Sequence, residues 1–173
     1  MSAAVDYFLK IDGIQGESQD SKHTNEIEIS WFDWTEAQSG TFSQGGGSGA
    51  GKVKMNDFKF CMRTNKSSPK LMLACATGQH IPTATLTCRK AGGSQQEFYT
   101  VDFSEVLVSS YRTGSTQETS PGDSDAGYSS GVPMDYIGLN FGKINFTYRP
   151  QKADGTLDNP VMAGYDVTQN KTV

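Results

Sequence analysis

The sequence predicts a mainly β fold: an antiparallel β-barrel of two packed sheets with one short outer α-helix and long loops. Three observations carry that expectation. Apolar residues recur at every second position along most of the chain, which is the period of half-buried strands. Glycine is abundant at 19 residues and the apolar fraction is low at 35%, a composition suited to short strands, wide loops and surface hidden by assembly. A single segment carries helix start and stop signals, so the crossover helices of a parallel α/β sheet are missing.

Taken in order, Tyr7, Leu9 and Ile11 alternate until Asp12-Gly13 breaks the run, and residues 15–26 are polar and form a loop. Ile27, Ile29 and Trp31 alternate with Glu28 and Ser30. Phe32 and Trp34 then follow in the opposite phase, so the strand bulges or changes partners. Residues 39–51 are glycine-rich and form a long, pliable loop. Val53 and Met55 open a strand that Phe58, Phe60 and Met62 continue in the other phase, with a bulge near Asn56-Asp57.

Ser68 suits a helix N-cap, Pro69 the first helical position and Gly78 the residue past the C-cap, giving about ten helical residues. Leu71, Met72 and Cys75 are expected to pack this helix on a sheet. Residues 82–90 form a strand with Ala84, Leu86 and Cys88 on one face, followed by a turn at 91–94. Residues 98–103 and 106–110 are two further strands, and 113–133 is a long Ser/Gly-rich excursion. Leu139 and Phe141 alternate; Ile144, Phe146 and Tyr148 resume out of phase across Gly142-Lys143; Pro150 stops the strand. A last short run lies around 165–168, which makes eight or nine strands.

Length and charge bound the function. A chain of 173 residues reads as one domain, 1–173, with a core of its own. With 15 Lys+Arg against 19 Asp+Glu the net charge is -4 and no basic run exists, which argues against nucleic acid and anionic membranes as partners. No apolar stretch reaches membrane-spanning length, so no membrane insertion is expected. The N-terminus lacks a basic region followed by a long apolar run, so no signal peptide is expected. Three cysteines, at 61, 75 and 88, cannot all pair within one chain and form no C-x-x-C, which disfavours a disulfide scaffold or a zinc ribbon.

The catalytic motifs fail on context. Residues 46–52 match G-x-x-x-x-G-K, but Val53 stands where the phosphate loop needs Ser or Thr, and a strand follows where it needs a helix. Residues 127–131 match G-x-S-x-G around Ser129, yet both histidines, His23 and His80, precede it, and Pro133 argues against a following helix. His23 is expected to be exposed in its polar loop and His80 to sit at the helix end. Asp123/Asp125 and Asp154/Asp158 lack calcium-loop spacing and suit solvated loops. Cys75 and Cys88 suit the core as small residues, not as nucleophiles. No enzyme, cofactor or metal is expected.

The order of short motifs adds a family. Residues 7–18, YFLKIDGIQGES, are followed by His23, by Glu26-Ile27-Glu28-Ile29 and by Phe32-Asp33-Trp34. Gln38-Ser39-Gly40, the glycine loop and Gly51-Lys52-Val53 come next. Residues 67–73, 74–78, 89–93, 105–110 and 150–155 complete the series. In that order, over about residues 5–170, these resemble the Hcp (hemolysin-coregulated protein) family, the inner-tube proteins of the type VI secretion system. The resemblance implies a six-membered ring that stacks into a hollow tube inside a contractile sheath. Such a tube carries effector proteins in its lumen and meets baseplate and spike proteins. It also implies synthesis in the bacterial cytoplasm and export through the type VI system.

On the same resemblance, Gly40, Gly45, Gly46, Gly47, Gly49 and Gly51 belong to a ring-stacking loop, and Trp31, Asp33 and Trp34 are candidate lumen or effector contacts. Phe32 and Asp33 depart from the family's usual Trp-Ser, and six copies of Asp33 would make the bore more acidic. The excursion 113–133 is longer than is familiar and would decorate the rim. On that resemblance no C-terminal toxin domain is expected, since Val173 would fall in the family's own tail. Two other classes compete: a monomeric β-sandwich that binds carbohydrate through Trp31 and Trp34, and a hydrolase using Ser129.

Overall fold

The computed structural model describes residues 5–39, 52–90, 95–115 and 132–173. The predicted glycine loop therefore lies outside the described residues, as do Ser129, Asp123, Asp125, the turn at 91–94 and most of the excursion 113–133. In chain order the elements are β1 Val5–Ile11, β2 Ile27–Glu28, β3 Trp31–Asp33, β4 Glu36–Ala37, β5 Lys54–Met55 and β6 Phe58–Arg63. Then follow α1 Ser68–Thr77, β7 His80–Lys90, β8 Gln96–Gly114, β9 Met134–Tyr148, β10 Val161–Asp166 and β11 Lys171–Thr172.

The fold is mainly β and antiparallel throughout, as the alternation predicts. Among the described residues, nine strands share one sheet in the order β11-β10-β9-β8-β7-β1-β2, with β6 on β9 and β3 on β6; β4 and β5 pair separately. The sheet does not close into a barrel, which corrects that part of the expectation. The cause lies at residues 27–33, where the chain changes partners. β2 ladders with β1 and β3 with β6. Between them Ile29 N donates to Tyr7 O at 3.1 Å and Ser30 N to Cys61 O at 2.7 Å. A single covalent segment thus bridges two edges that no continuous ladder joins. The phase switch from Ile27 and Ile29 to Phe32 and Trp34 marks this change in the sequence.

Two other phase breaks resolve differently from expectation. At Asn56-Asp57 the chain does not bulge; it leaves the small β4–β5 sheet and enters β6 in the large one. The two predicted strands at 98–103 and 106–110 are one strand, β8, because Glu105 takes a left-handed φ of 55° and the ladder continues past it. Opposite Glu105 is Gly142, where an added Cβ would come within 3.0 Å of the Glu105 Cβ. That pair of irregularities lets β9 bury Ile137, Leu139 and Phe141 and then switch parity to bury Ile144.

The core is built from Leu9, Ile27, Phe58, Phe60, Phe103 and Leu139, with Ala84, Leu86 and Cys88 of β7 on the predicted face. Helix α1 begins one residue earlier than predicted, with Ser67 as its N-cap, Pro69 in the first turn and Gly78 closing it at φ 64°. Ser68 is free for another role: its hydroxyl and that of Thr64 both donate to the fully buried Asp135 carboxylate of β9, pinning the helix start to the sheet. Leu71 and Ala74 face the sheet; Met72 does not, being 48% exposed. Leu71 and Ala74 form an i,i+3 stripe, and Met72 lies about 100° round the helix from it.

His23 also departs from expectation, since it is buried at 6% exposure. Its ring stacks on Phe8 at 4.2 Å and its Nδ1 lies 2.8 Å from Glu26 Oε2. Arg89 also lies 4.9 Å over the Phe8 ring and grips both Asp20 oxygens, at 2.9 and 2.6 Å. That bidentate contact holds the Asp20 carboxyl well below the usual carboxylate range. The histidine and acids of the N-terminal motif region thus tie the 15–26 loop down onto β1 and β7.

Candidate functional site

The candidate surface is the side of β3, β6, β9 and β8 that points away from the core. Residues directly opposite in an antiparallel ladder share a face, so the register assembles it row by row. Asp33 sits opposite Lys59, Lys59 opposite Gly138, and Gly138 opposite Ser110. The next row runs Trp31, Cys61, Tyr136, Arg112. A third holds Arg63, Met134 and Gly114. The opposite side of the same strands carries Phe58, Phe60, Ile137 and Leu139 into the core.

Of the three predicted contact residues, Asp33 and Trp31 lie on this outer face, Asp33 exposed and Trp31 half-buried. Trp34 does not join them. It packs with the core side, its ring 6.4 Å from Phe141, while Phe32 beside it packs on Tyr7, Phe58 and Tyr99. Trp34 instead lines an apolar cleft with Val53, Met55, Ile144, Phe146 and Tyr165. The six predicted stacking glycines, Gly40 to Gly51, lie outside the described residues.

Sequence reasoning missed Lys59, Arg63, Tyr136 and Arg112, which the ladders bring beside Asp33 from as far as 103 residues away. The Arg112 guanidinium lies 4.8 Å over the Tyr136 ring, a cation–π contact across the β8–β9 ladder. Cys61 is covered in this row, and burial pushes its thiol up to about 11 despite a hydrogen bond from Tyr136. Ser109 forms the register shift between Val108 and Ser110, and a bulge of that kind turns two successive side chains to one side. Both hydroxyls lie over Gly138, where an added Cβ would meet Ser110 Oγ at 2.5 Å and Ser109 Oγ at 2.9 Å. Asp57 closes the edge, accepting hydrogen bonds from Ser109 at 2.7 Å and Asn140 at 2.8 Å.

Such a face, of charged, hydroxyl and aromatic side chains, can bind a macromolecular surface. Among the described residues no group of three or more His, Cys, Asp or Glu is placed to hold a metal ion. Cys88 is buried and its thiol is pushed up to about 12, the reverse of an activated nucleophile. His80 is exposed and pairs with Glu105 across β7 and β8.

Comparison with known proteins points one way. The family described as "Type VI secretion system effector, Hcp" matches residues 8–148. Protein hcp1 of Pseudomonas aeruginosa is 43% identical over 169 residues, 96% of this chain and 98% of that protein. The solved structure of Hcp1 from Salmonella typhimurium superposes with a TM-score of 0.75 at 33% identity, over 98% of this chain and 99% of that one. A solved type six secretion system protein superposes with a TM-score of 0.85 at 28% identity, over 98% of this chain and 100% of that one.

Proposed function

The chain belongs to the Hcp family, the secreted tube proteins of the type VI secretion system, and from that premise we propose that it forms hexameric rings that stack into a hollow tube and carry effector proteins in the lumen. The observation that carries this reading is the 43% identity spanning 96% of the chain and 98% of the relative. The sheath, baseplate and spike are the partners the reading adds. Synthesis in the cytoplasm and export with the tube are its route.

The fold supports assembly on physical grounds. Among the described residues, β10 is laddered to β9 on one side and to β11 only at Tyr165 and Asp166. Val161 and Met162, 65% and 62% exposed, therefore stand on an unpaired strand edge. Among the described residues, β8 is laddered to β7 only as far as Leu107, and its continuation to Gly114 is laddered to β9 alone, with α1 packed on β8. Unpaired, apolar edges are hazards in a lone monomer and are covered when copies join side by side. In this reading the Asp33 face lines the bore, and the glycine-rich stretch Gly40, Gly45, Gly46, Gly47, Gly49 and Gly51 contacts the neighbouring ring.

The carbohydrate-module alternative needs Trp31 and Trp34 as one exposed platform. They lie on opposite sides of the sheet, which favours the tube. The test is secretion. In a bacterium with an active type VI system, the chain accumulates in the medium and stays inside the cells when the sheath is disrupted. Equal release with and without the sheath would overturn the proposal.

A further inference from the structure

The Asp33 face has a sign of its own. In the rows from Asp33 to Gly114, with Asp57 at their edge, it carries Lys59, Arg63 and Arg112 against Asp33 and Asp57, a local positive excess that ends beyond Leu107, where β8 turns Asp102 and Glu105 outward, on a chain whose net charge is -4. Asp33, which read alone makes the bore more acidic, stands directly opposite Lys59. Asp57 is engaged by the Ser109 hydroxyl and the Asn140 amide. The hydroxyl pair above Gly138 adds donors to the same row as Lys59. Tyr136 supports the Arg112 guanidinium and sits in a row with Trp31, giving flat aromatic surface beside cationic groups. A rigid sheet face with this content complements an acidic surface, and such complementarity selects partners and speeds encounter.

We propose that the β3–β6–β9–β8 face receives protein cargo through an acidic surface of that cargo, with Lys59, Arg63 and Arg112 as the charged contacts and Trp31 and Tyr136 as the flat ones. The proposal rests on the tube reading in that the face must line the bore, where ring symmetry repeats it around one cargo molecule. Cargo chemistry is then set by residues on four strands and not by Asp33 alone.

The probe is a fluorescent polyglutamate peptide, with polylysine as its counterpart, titrated into the purified full chain and read by anisotropy. Polyglutamate binds and polylysine does not, and the binding weakens as salt rises to about 0.5 M. Lys59→Ser with Arg112→Ser weakens polyglutamate binding about tenfold or more, Asp33→Ser strengthens it, and the control pair Lys22→Ser with Lys70→Ser leaves it unchanged. Equal loss in the control pair, preference for polylysine, or no binding would overturn the proposal. Native mass of each sample separates the two readings. Hexamers that ignore polyglutamate overturn the cargo-face proposal alone. A monomer that binds through Lys59 and Arg112 keeps the face and overturns the ring, and a monomer that does not bind overturns both.

Discussion

Three glycines, replaced one at a time by alanine, separate three physical costs within one chain. At Gly13, φ is +76° and an added Cβ meets nothing within 4 Å, so the cost is the left-handed backbone alone, about 1 kcal/mol. At Gly138 the added carbon meets two serine hydroxyls, at 2.5 and 2.9 Å. Those rotate away, so the cost is about 1 kcal/mol of crowding, together with loss of the Ser109–Asp57 hydrogen bond. At Gly16 it would lie 2.3 Å from Glu26 O and 2.6 Å from Ile27 Cα, both backbone atoms that cannot turn aside. Relief requires the loop to part from β2, breaking Gly16 N to Asn25 O at 2.8 Å and Ser18 N to Glu26 O at 3.1 Å. Crowding of about 2 kcal/mol and two hydrogen bonds at about 1 kcal/mol each make about 4 kcal/mol. Urea midpoints at one fixed protein concentration read the series, since assembly makes stability concentration-dependent. The expected order is Gly16→Ala far below Gly13→Ala and Gly138→Ala. Gly16→Ala within about 1 kcal/mol of Gly13→Ala would refute the claim that the β1–β2 connection is locked by backbone contact.

Asp135→Ala leaves the Thr64 and Ser68 hydroxyls without their acceptor and should cost about 3 kcal/mol in urea; a change under about 1 kcal/mol would show that the helix start does not depend on it. Asp166 is held down at about 2 by the Thr168 hydroxyl and the Gln169 amide, partly offset by burial and assisted by Lys143. Its folded value lies below its ordinary one, so its contribution is present above about pH 4 and lost as pH falls toward 2. Asp166→Asn should therefore flatten part of the acid loss of stability, and an unchanged pH profile would contradict the assignment. With Cys61 and Cys88 pushed up to about 11 and about 12 by burial, a thiol reagent near neutral pH should titrate Cys75 first and the other two only on unfolding. Rapid labelling of all three in the native chain would contradict that burial.

Local chemistry made much of the fold legible. Pro69 and Gly78 bracket α1 within a residue, and the aromatic phase switch at Phe32 announces the change of partners between β2 and β3. What failed to show depends on long-range register. Nothing near Glu105 in the sequence says that a left-handed φ lets one strand run on from Gln96 to Gly114. His23 looked solvated because its neighbours are polar; Phe8 and Glu26 cover it. The candidate face was legible at Trp31 and Asp33 through the family resemblance, but Trp34 looked equivalent and is not. Lys59, Arg63 and Arg112 became part of that face only once β6, β9 and β8 were laid beside β3, since opposite residues far apart in the chain carry no shared local signal.

The ring is the central claim, and native mass followed by imaging of the same purified sample tests it most directly. The account predicts a species about six times the 18.7 kDa chain, seen as an annulus with a central hole. A stable 18.7 kDa monomer at high concentration would contradict it.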